Sequence, residues 1–511
     1  MPNLDQKPEV TVRRVLIVDL NNFARYPSVP VGYLAAVCRE AGHEVSVFSP
    51  LMLGVGGVVR ERPAKWYGLA VEKLNYRAAT SRSSLLRRAR EQVAKLRAPD
   101  LGKEQAAVVT KFEQLLVEQK PDVVLVSSYL MYRDHTAEIC AACKEAGVPA
   151  LVGGPYFAQP EVVAEWVDIP GAVAIVGGEV ELELPAILES IVAGDDLTRH
   201  TGLWLRGPEG TLLGGARTPL KDLDDVPFPD YVDFPWEKYP NRIVPVITGR
   251  GCGWGACSFC SDVTSTAGRT YRSRSPRNVL DELAYHHERH GASLYTFTDL
   301  KLNSDLDVWN AVLDNMQRVA PGSRWIAAVH VDANGPRGHA NGLTADDLKR
   351  AAVSGCVRLT TGLESGSQRV LDLMKKGADV EHTGRFLDDA HAVGISMRCT
   401  MILGYPGETV ADVVATAEFL ERHSHSIERV SLNRFQIMTG TRFHRTLEAK
   451  PDAHAQLTQL TINHKVAQVD HRYTEADDPV YRSAVMRLLA AVHAINRKPL
   501  MERARDFDGV M

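Results

Sequence analysis

Long apolar runs are missing from this chain: in 511 residues no window approaches eighteen uncharged apolar positions, which excludes a membrane-spanning helix. A secretory start is missing too, since Met1 to Val12 is polar, carries Asp5, Lys7 and Glu9, and has no apolar segment. Cysteine is sparse at eight residues, so a disulfide framework is not expected. The expected address is the cytoplasm, where thiols stay reduced. No sign of charge dominates: 59 Lys and Arg stand against 63 Asp and Glu, a formal net charge of -4, without the basic excess of a nucleic-acid binder. There is no repeat, no low-complexity tract and no Asp-x-His-x-x-Gly phrase. What is present is the composition of a globular protein, 45% hydrophobic and 24% charged, on a chain long enough for two or three domains.

Three of the few cysteines fall in one loop, Gly251-Cys252-Gly253-Trp254-Gly255-Ala256-Cys257-Ser258-Phe259-Cys260, just after the apolar run Ile243 to Ile247. A structural zinc site wants four ligands, and here there is one C-x2-C with no second pair nearby. His286, His287 and His290 lie some thirty residues further on, in a helical pattern. Three thiolates can instead hold three irons of a four-iron, four-sulfur cluster, where an electron-transfer cluster takes four. One iron is then left for a ligand that is not protein. The loop resembles that of radical S-adenosylmethionine enzymes, in which the methionyl amine and carboxylate chelate the open iron; Phe259 between the last two cysteines is also typical. The resemblance departs at Ala256, which makes the first gap C-x4-C where the family has C-x3-C. A local bulge flanked by Gly253 and Gly255 is expected to absorb the extra residue.

The fold class expected is α/β. From Arg13 to about residue 200, β-branched runs at Val15–Asp19, Val45–Phe48, Val123–Ser127, Ala150–Val152 and Ala172–Val176 alternate with amphipathic stretches such as Gly32 to Ala41 and Asp134 to Ala146. This predicts a doubly wound, Rossmann-like parallel sheet of five strands, with its ligand at the carboxyl strand ends. Those ends carry small residues: Asn21 and Asn22, Ser127 and Ser128 before Tyr129, Gly153-Gly154-Pro155-Tyr156, and Gly177-Gly178-Glu179. Glycines there let backbone amides approach a bulky flat ligand. The order of these phrases, with Val31-Gly32-Tyr33 and Gly42-His43-Glu44, resembles the cobalamin-binding domain that precedes the barrel in one class of radical S-adenosylmethionine enzymes. The resemblance implies cobalamin contacts at Asn21, Ser127, Ser128, Gly153, Gly154, Pro155, Tyr156, Gly177, Gly178 and Glu179. It also implies a lower face not ligated by the histidine of an Asp-x-His-x-x-Gly motif. Residues 51 to 120, too long for a simple connection, read as a helical insertion with solvated basic faces; Arg60, Arg62, Arg87, Arg88 and Arg90 contribute to them.

Residues 201 to 241, with six prolines and several glycines between Arg206 and Asn241, read as a hairpin followed by an extended linker. From about Arg242 to Phe435, strand-like runs at Ile243–Thr248, Leu294–Thr298, Trp325–Val329, Val357–Thr361, Ser396–Leu403 and Arg429–Phe435 alternate with helical stretches. Six such units predict a partial barrel with ligands at the carboxyl strand ends. Residues 436 to 511 read as a C-terminal helical region, including Asp452 to Val466 and Pro479 to Arg497. Cys38, Cys140, Cys143, Cys356 and Cys399 lie in apolar periodic segments and read as core.

Cluster ligation is assigned to Cys252, Cys257 and Cys260. For S-adenosylmethionine, the resemblance points to Phe259 against the adenine, Thr298 and Asp299 after the second strand, Glu364 with Ser365 after the fourth, and Arg398 on the fifth as a fork for the methionyl carboxylate. Glu364 has a structural alternative as a helix cap, and Arg398 as a salt bridge. Asp299 and His330 are the catalytic candidates, and Lys301, Asn303 and Asp332 join His330 as substrate-site candidates. Tyr271, Arg272 and Arg274 read as surface packing. Gly404-Tyr405-Pro406-Gly407-Glu408 matches a family phrase after the fifth strand.

The resemblance implies a cobalamin-dependent C-methyltransferase. A 5′-deoxyadenosyl radical abstracts hydrogen from a small-molecule or natural-product substrate, methylcobalamin delivers the methyl group, and a second S-adenosylmethionine remethylates the corrin. An external electron donor such as flavodoxin or ferredoxin is expected. A cyclase or rearrangement enzyme using the same cofactors without methyl transfer is the alternative, and a cobalamin or iron–sulfur sensor the non-enzymatic one.

Overall fold

A computed structural model describes residues 13–21, 23–57, 64–97, 101–262, 271–332 and 341–510. Asn22, Arg60, Arg62 and the first twelve residues lie outside them. Five strands, β1 (Arg14–Asp19), β2 (Glu44–Phe48), β3 (Val123–Ser127), β4 (Ala150–Gly153) and β5 (Ala172–Val176), pair in parallel in the order β2-β1-β3-β4-β5. Strands β1 and β3 are buried along almost their whole length, which is why they read as unbroken β-branched runs. The sheet extends by an antiparallel hairpin, β6 (Leu203–Arg206) and β7 (Leu212–Gly214), added beside β5, so it has seven strands and not five.

The second sheet has six parallel strands in sequential order: β8 (Ile243–Val246), β11 (Leu294–Phe297), β12 (Arg324–Val329), β13 (Cys356–Glu364), β14 (Ser396–Leu403) and β15 (Arg429–Arg434). Between β8 and β11 lies a short ribbon, β9 (Gly249–Arg250) with β10 (Arg272–Ser273), flanking the cysteine loop. The order is that of an open barrel. Helices such as Pro276–His290, Leu306–Val319 and Val410–Arg422 cover its outside with capped N-termini; Asp305, for example, accepts from the amides of Asp307 and Val308.

Residues 502–510 close the amino end of the barrel. Phe507 and Val510 pack on Ile243, Leu294, Ile326 and Val357, each at or near the start of its strand. Three arginines add polar anchors: Arg324 meets the Asp506 carboxylate at 2.5 Å, Arg358 donates to the Phe507 carbonyl at 3.1 Å, and Arg398 to the Val510 carbonyl at 2.8 Å.

The C-terminal region differs from the helical reading. It contains a three-stranded antiparallel sheet, β16 (Ile437–Met438), β17 (Leu457–Asn463) and β18 (Gln468–Tyr473), in the order β16-β18-β17, before the helix Pro479–Asn496. The insertion is helical, at Gly68–Ala79, Ser84–Arg97 and Leu101–Gln119. Its parts diverge: Phe112 and Leu116 of the last helix join the core of the seven-stranded sheet, while the first packs on helix Pro479–Asn496.

The two sheets share one apolar core and are tied by the linker. The Tyr231 hydroxyl donates to the Pro245 carbonyl at 2.9 Å, and a Cβ on Gly32 would stand 2.4 Å from the Tyr231 ring. Glycine at 32 is what lets that ring seat.

Candidate functional site

The carboxyl ends of both sheets face a common space. At the end of the seven-stranded sheet is a cleft of about 320 Å³, lined by Asn21, Ser127, Ser128, Gly153, Gly154, Pro155 and Gly178 among other mostly apolar residues. The Asn21 amide group donates to Ser127 Oγ at 3.1 Å, and Thr136 Oγ1 to Ser128 Oγ at 2.9 Å, so the strand ends are locked to each other. A Cβ on Gly154 would lie 2.0 Å from the Ser128 carbonyl oxygen. Only glycine allows that approach. No histidine lines this cleft among the described residues. Such a small-residue, mostly apolar lining would suit the face of a flat ligand.

Three of the residues expected here stand elsewhere. Gly177 packs under Trp204, whose indole would be 2.3 Å from a Cβ and itself donates to the Phe157 carbonyl. Glu179 is held by Arg272 at 2.6 and 2.8 Å and accepts from the Leu220 amide. Tyr156, left-handed at φ 74, faces an adjoining cleft and hydrogen-bonds Ser261 just beyond the cysteine loop. Arg272 and Arg274, expected at the surface, are instead interior ties: Arg274 pairs with buried Glu282, and Arg272 binds the loop to the first sheet through Glu179.

The second cleft, about 690 Å³, lies at the carboxyl ends of β8, β11, β12, β13 and β14 and is lined by Cys252, Cys257, Cys260, Phe259, Thr298, Asp299, His330 and Glu364. It shares Pro30, Tyr129 and Glu181 with the first, so the two adjoin. The cysteine loop is held from several sides. Ser258 donates its amide to the Met374 carbonyl at 2.9 Å and shares a 2.7 Å hydrogen bond with the Tyr405 hydroxyl; the Phe443 amide donates to the Ser258 carbonyl at 2.8 Å. The Trp254 indole donates to the Lys375 carbonyl at 3.0 Å. The extra residue is absorbed at Gly255, which is left-handed at φ 49 and turns its amide to Cys252 Sγ at 3.4 Å, while the Ala256 carbonyl accepts from Arg442. A Cβ on Gly253 would make only ordinary contacts, with Ser304 at 3.8 Å and Lys301 at 3.9 Å.

Glu364 and Lys376 form the charged wall of this cleft, 2.8 Å apart and both buried. Glu364 is left-handed at φ 58, at a bulge where β13 passes β14, a strain of about 1–3 kcal/mol that clusters at functional sites. A side chain on Gly362 would strike both groups, at 2.4 and 2.5 Å. Lys376 had no signal in the sequence: it is adjacent to exposed Lys375 and is turned inward by the left-handed pair Lys375 and Gly377. Burial disfavours the charge on Lys376, yet Glu364 and Cys257 raise its pKa overall. A buried cation beside three thiols suits an anionic cluster.

The other candidates divide. Asp299 lines the cleft but spends its oxygens on the Thr248 amide and hydroxyl and the Gly249 amide, at 2.8–3.1 Å, so it positions the start of the cysteine loop; burial pushes its pKa up to about 6. Thr298 donates to the Val246 carbonyl. His330 meets Asp332 at 2.7 Å, with Lys301 3.9 Å from the same carboxylate, and burial pushes the imidazole below its ordinary pKa. Asn303 accepts from the His330 amide and donates to its carbonyl, both at 3.0 Å, and so positions it. Two candidates leave the cleft altogether. Ser365 is directed away by the turn at Glu364 and faces Thr416 at 3.1 Å, and Arg398 sits at the amino end of β14 on the Val510 carbonyl. In the phrase after β14, buried Glu408 accepts from the Gly404 amide at 2.8 Å and the Tyr481 hydroxyl at 2.6 Å, fixing the turn that presents Tyr405 to Ser258.

Comparison with known proteins agrees with this geometry. Residues 246–420 match the model of the Radical SAM superfamily. The chain is 26% identical over 327 residues to an uncharacterised methyltransferase of Pyrococcus horikoshii, across 62% of this chain and 66% of that protein. It is 25% identical over 317 residues to the anaerobic magnesium-protoporphyrin IX monomethyl ester cyclase of Rubrivivax gelatinosus, across 58% of this chain and 53% of that protein. The chain thus spans no more than about two-thirds of either relative. Among solved structures, the radical S-adenosylmethionine methyltransferase TsrM from Kitasatospora setae, with cobalamin and a [4Fe-4S] cluster bound, superposes with a TM-score of 0.62 at 17% identity, covering 86% of this chain and 78% of that one. No helix among the described residues is long and apolar enough to cross a membrane. Residues 246–420 therefore match the Radical SAM superfamily, within a chain whose fold is like that of TsrM.

Proposed function

We propose that this chain is a cobalamin-dependent radical S-adenosylmethionine C-methyltransferase acting on a small molecule or natural-product intermediate in the cytoplasm, with flavodoxin or ferredoxin as electron donor. The observation that supports the reading is that the small-residue cleft at the strand ends and the cleft lined by the three cysteines adjoin at Pro30, Tyr129 and Glu181. When bound, the cluster with S-adenosylmethionine supplies the hydrogen-abstracting radical and methylcobalamin the methyl group. The chain contributes position and exclusion of water. Cys252, Cys257 and Cys260 would hold three irons, Phe259 and Glu364 would flank S-adenosylmethionine, and Asn21, Ser127, Ser128, Gly153, Gly154, Pro155 and Gly178 would cradle the corrin. Phe23, Tyr26, Tyr33 and Tyr129 wall the shared space. Close orientation is what would make the radical selective.

Anaerobic reconstitution with iron, sulfide and hydroxocobalamin tests this. The expected result is cluster and corrin absorption, reductive cleavage of S-adenosylmethionine, and a methylated product with S-adenosylhomocysteine. Replacing Cys252, Cys257 or Cys260 by Ala is expected to abolish the cluster and cleavage while sparing the corrin; retention of both in such variants sinks the reading. The likeness to a ring-forming relative favours one alternative, a cyclase, which deoxyadenosine with an unmethylated product would establish.

A further inference from the structure

Between the insertion and the small C-terminal sheet lies a cleft of about 490 Å³ that the cofactors do not need. Its walls carry Arg87 and Arg90 from helix Ser84–Arg97, Arg434 at the end of β15, and Arg472 of β18, against a single carboxylate, Asp470. Arg472 is already paired with Asp477 at 2.5 Å. Arg87 donates only to the Ser81 and Arg82 carbonyls and to Gln459, and among the described residues neither it nor Arg90 nor Arg434 meets a carboxylate. With Asp470 set against three unpaired guanidinium groups, two positive charges remain uncompensated. Arg434 is exposed as a residue, yet desolvation of its guanidinium and the neighbouring Arg90 push its pKa down. Gln459, left-handed at φ 55 on a bulge of β17, also turns to this space.

A single intervening cleft separates it from the cysteine-lined one. Gln436 and Gln468 line it and also the adjoining cleft past Tyr156, which in turn shares Phe23, Tyr129 and Asp262 with the cysteine-lined one. We infer that this arginine cleft binds the dianionic phosphate or phosphonate end of the substrate, an inference that rests on the methyltransferase reading for what a substrate is. Guanidinium forks match tetrahedral oxyanions bidentately, and a dianion neutralises the two spare charges where a single carboxylate leaves one. Tyr76, Phe435 and Tyr473 offer aromatic faces to the organic part next to it.

The test uses the reconstituted full-length protein at constant ionic strength, with phenyl phosphate and inorganic phosphate as probes in calorimetric titration. Phenyl phosphate is expected to bind more tightly than inorganic phosphate. Arg434→Gln and Arg90→Gln are each expected to weaken it about tenfold, the loss typical of a charge-assisted hydrogen bond, with cluster and corrin absorption unchanged. Arg88→Gln, exposed on the same helix, is the charge control and is expected to bind as the parent does. The inference is overturned if phenyl phosphate does not bind, if Arg434→Gln and Arg90→Gln bind as the parent does, or if inorganic phosphate binds equally well, which describes a free-ion site. Because binding is read without turnover, failure of the methyltransferase reading shows instead in the cleavage assay.

Discussion

The two strand-end surfaces that face each other are built on opposite principles. The end of the seven-stranded sheet is small and nearly uncharged, with glycines beside serines that are hydrogen-bonded to Asn21 and Thr136. The end of the six-stranded sheet is dense with buried ions: Glu364 with Lys376, His330 with Asp332, and Asp299 on three donors. The first is shaped for area, where a single added methyl group matters. The second is shaped for charge, where a single missing partner matters.

The largest effect is therefore expected from breaking a pair on the charged side. Lys376→Met leaves the Glu364 carboxylate buried without its cation, a loss of about 3–5 kcal/mol of stability, readable by denaturant unfolding. The double variant Lys376→Met with Glu364→Gln is expected to regain most of that stability but not the cleavage of S-adenosylmethionine; if cleavage returns as well, the pair is structural only. On the small side, Gly154→Ala forces a Cβ against the Ser128 carbonyl, an overpacking of about 1–3 kcal/mol. Corrin content should fall while the iron–sulfur absorption stays, and a corrin spectrum at full strength would remove the cleft from the argument.

A smaller effect is expected from Asp19, buried at the end of β1, whose pKa burial pushes up to about 7. Its folded value lies above its unfolded one, so its stabilisation is full below about pH 4 and is lost as pH rises through about 7. Asp19→Asn should flatten that part of the melting temperature against pH, and a profile identical to the parent's would exclude the assignment. The smallest effect is expected at Gly253→Ala, whose nearest neighbouring atom is 3.8 Å away. Cluster content should be unchanged there and reduced by Gly255→Ala, where φ is positive.

The parallel strands were legible because short β-branched runs alternate with longer amphipathic stretches, and all six of the barrel's runs coincide with strands. The C-terminal sheet was not. In β17 the apolar residues Leu457, Leu460 and Ile462 do not alternate, since left-handed Gln459 breaks the period of two, and most of the strand is exposed. The cysteine loop stood out through three of the eight cysteines falling within nine residues and through its resemblance to a family loop, although its first gap is one residue longer. Arg398 and Ser365 could not be placed, because a residue's distance along a strand does not show which end of the barrel it reaches, and one left-handed residue at 364 reverses the direction of the next. Lys376 was invisible for the same reason: a turn, not a pattern, sends it inward.

The closure of the barrel base by residues 502–510 bears on the order in which the protein matures on the ribosome. Those residues emerge after every strand whose first residues they cover, so the amino ends of β8, β11, β12 and β13 stay wet during synthesis while the seven-stranded sheet already has all its strands. The nascent chain then has a complete surface for a large flat ligand before it has a sealed chamber for a radical.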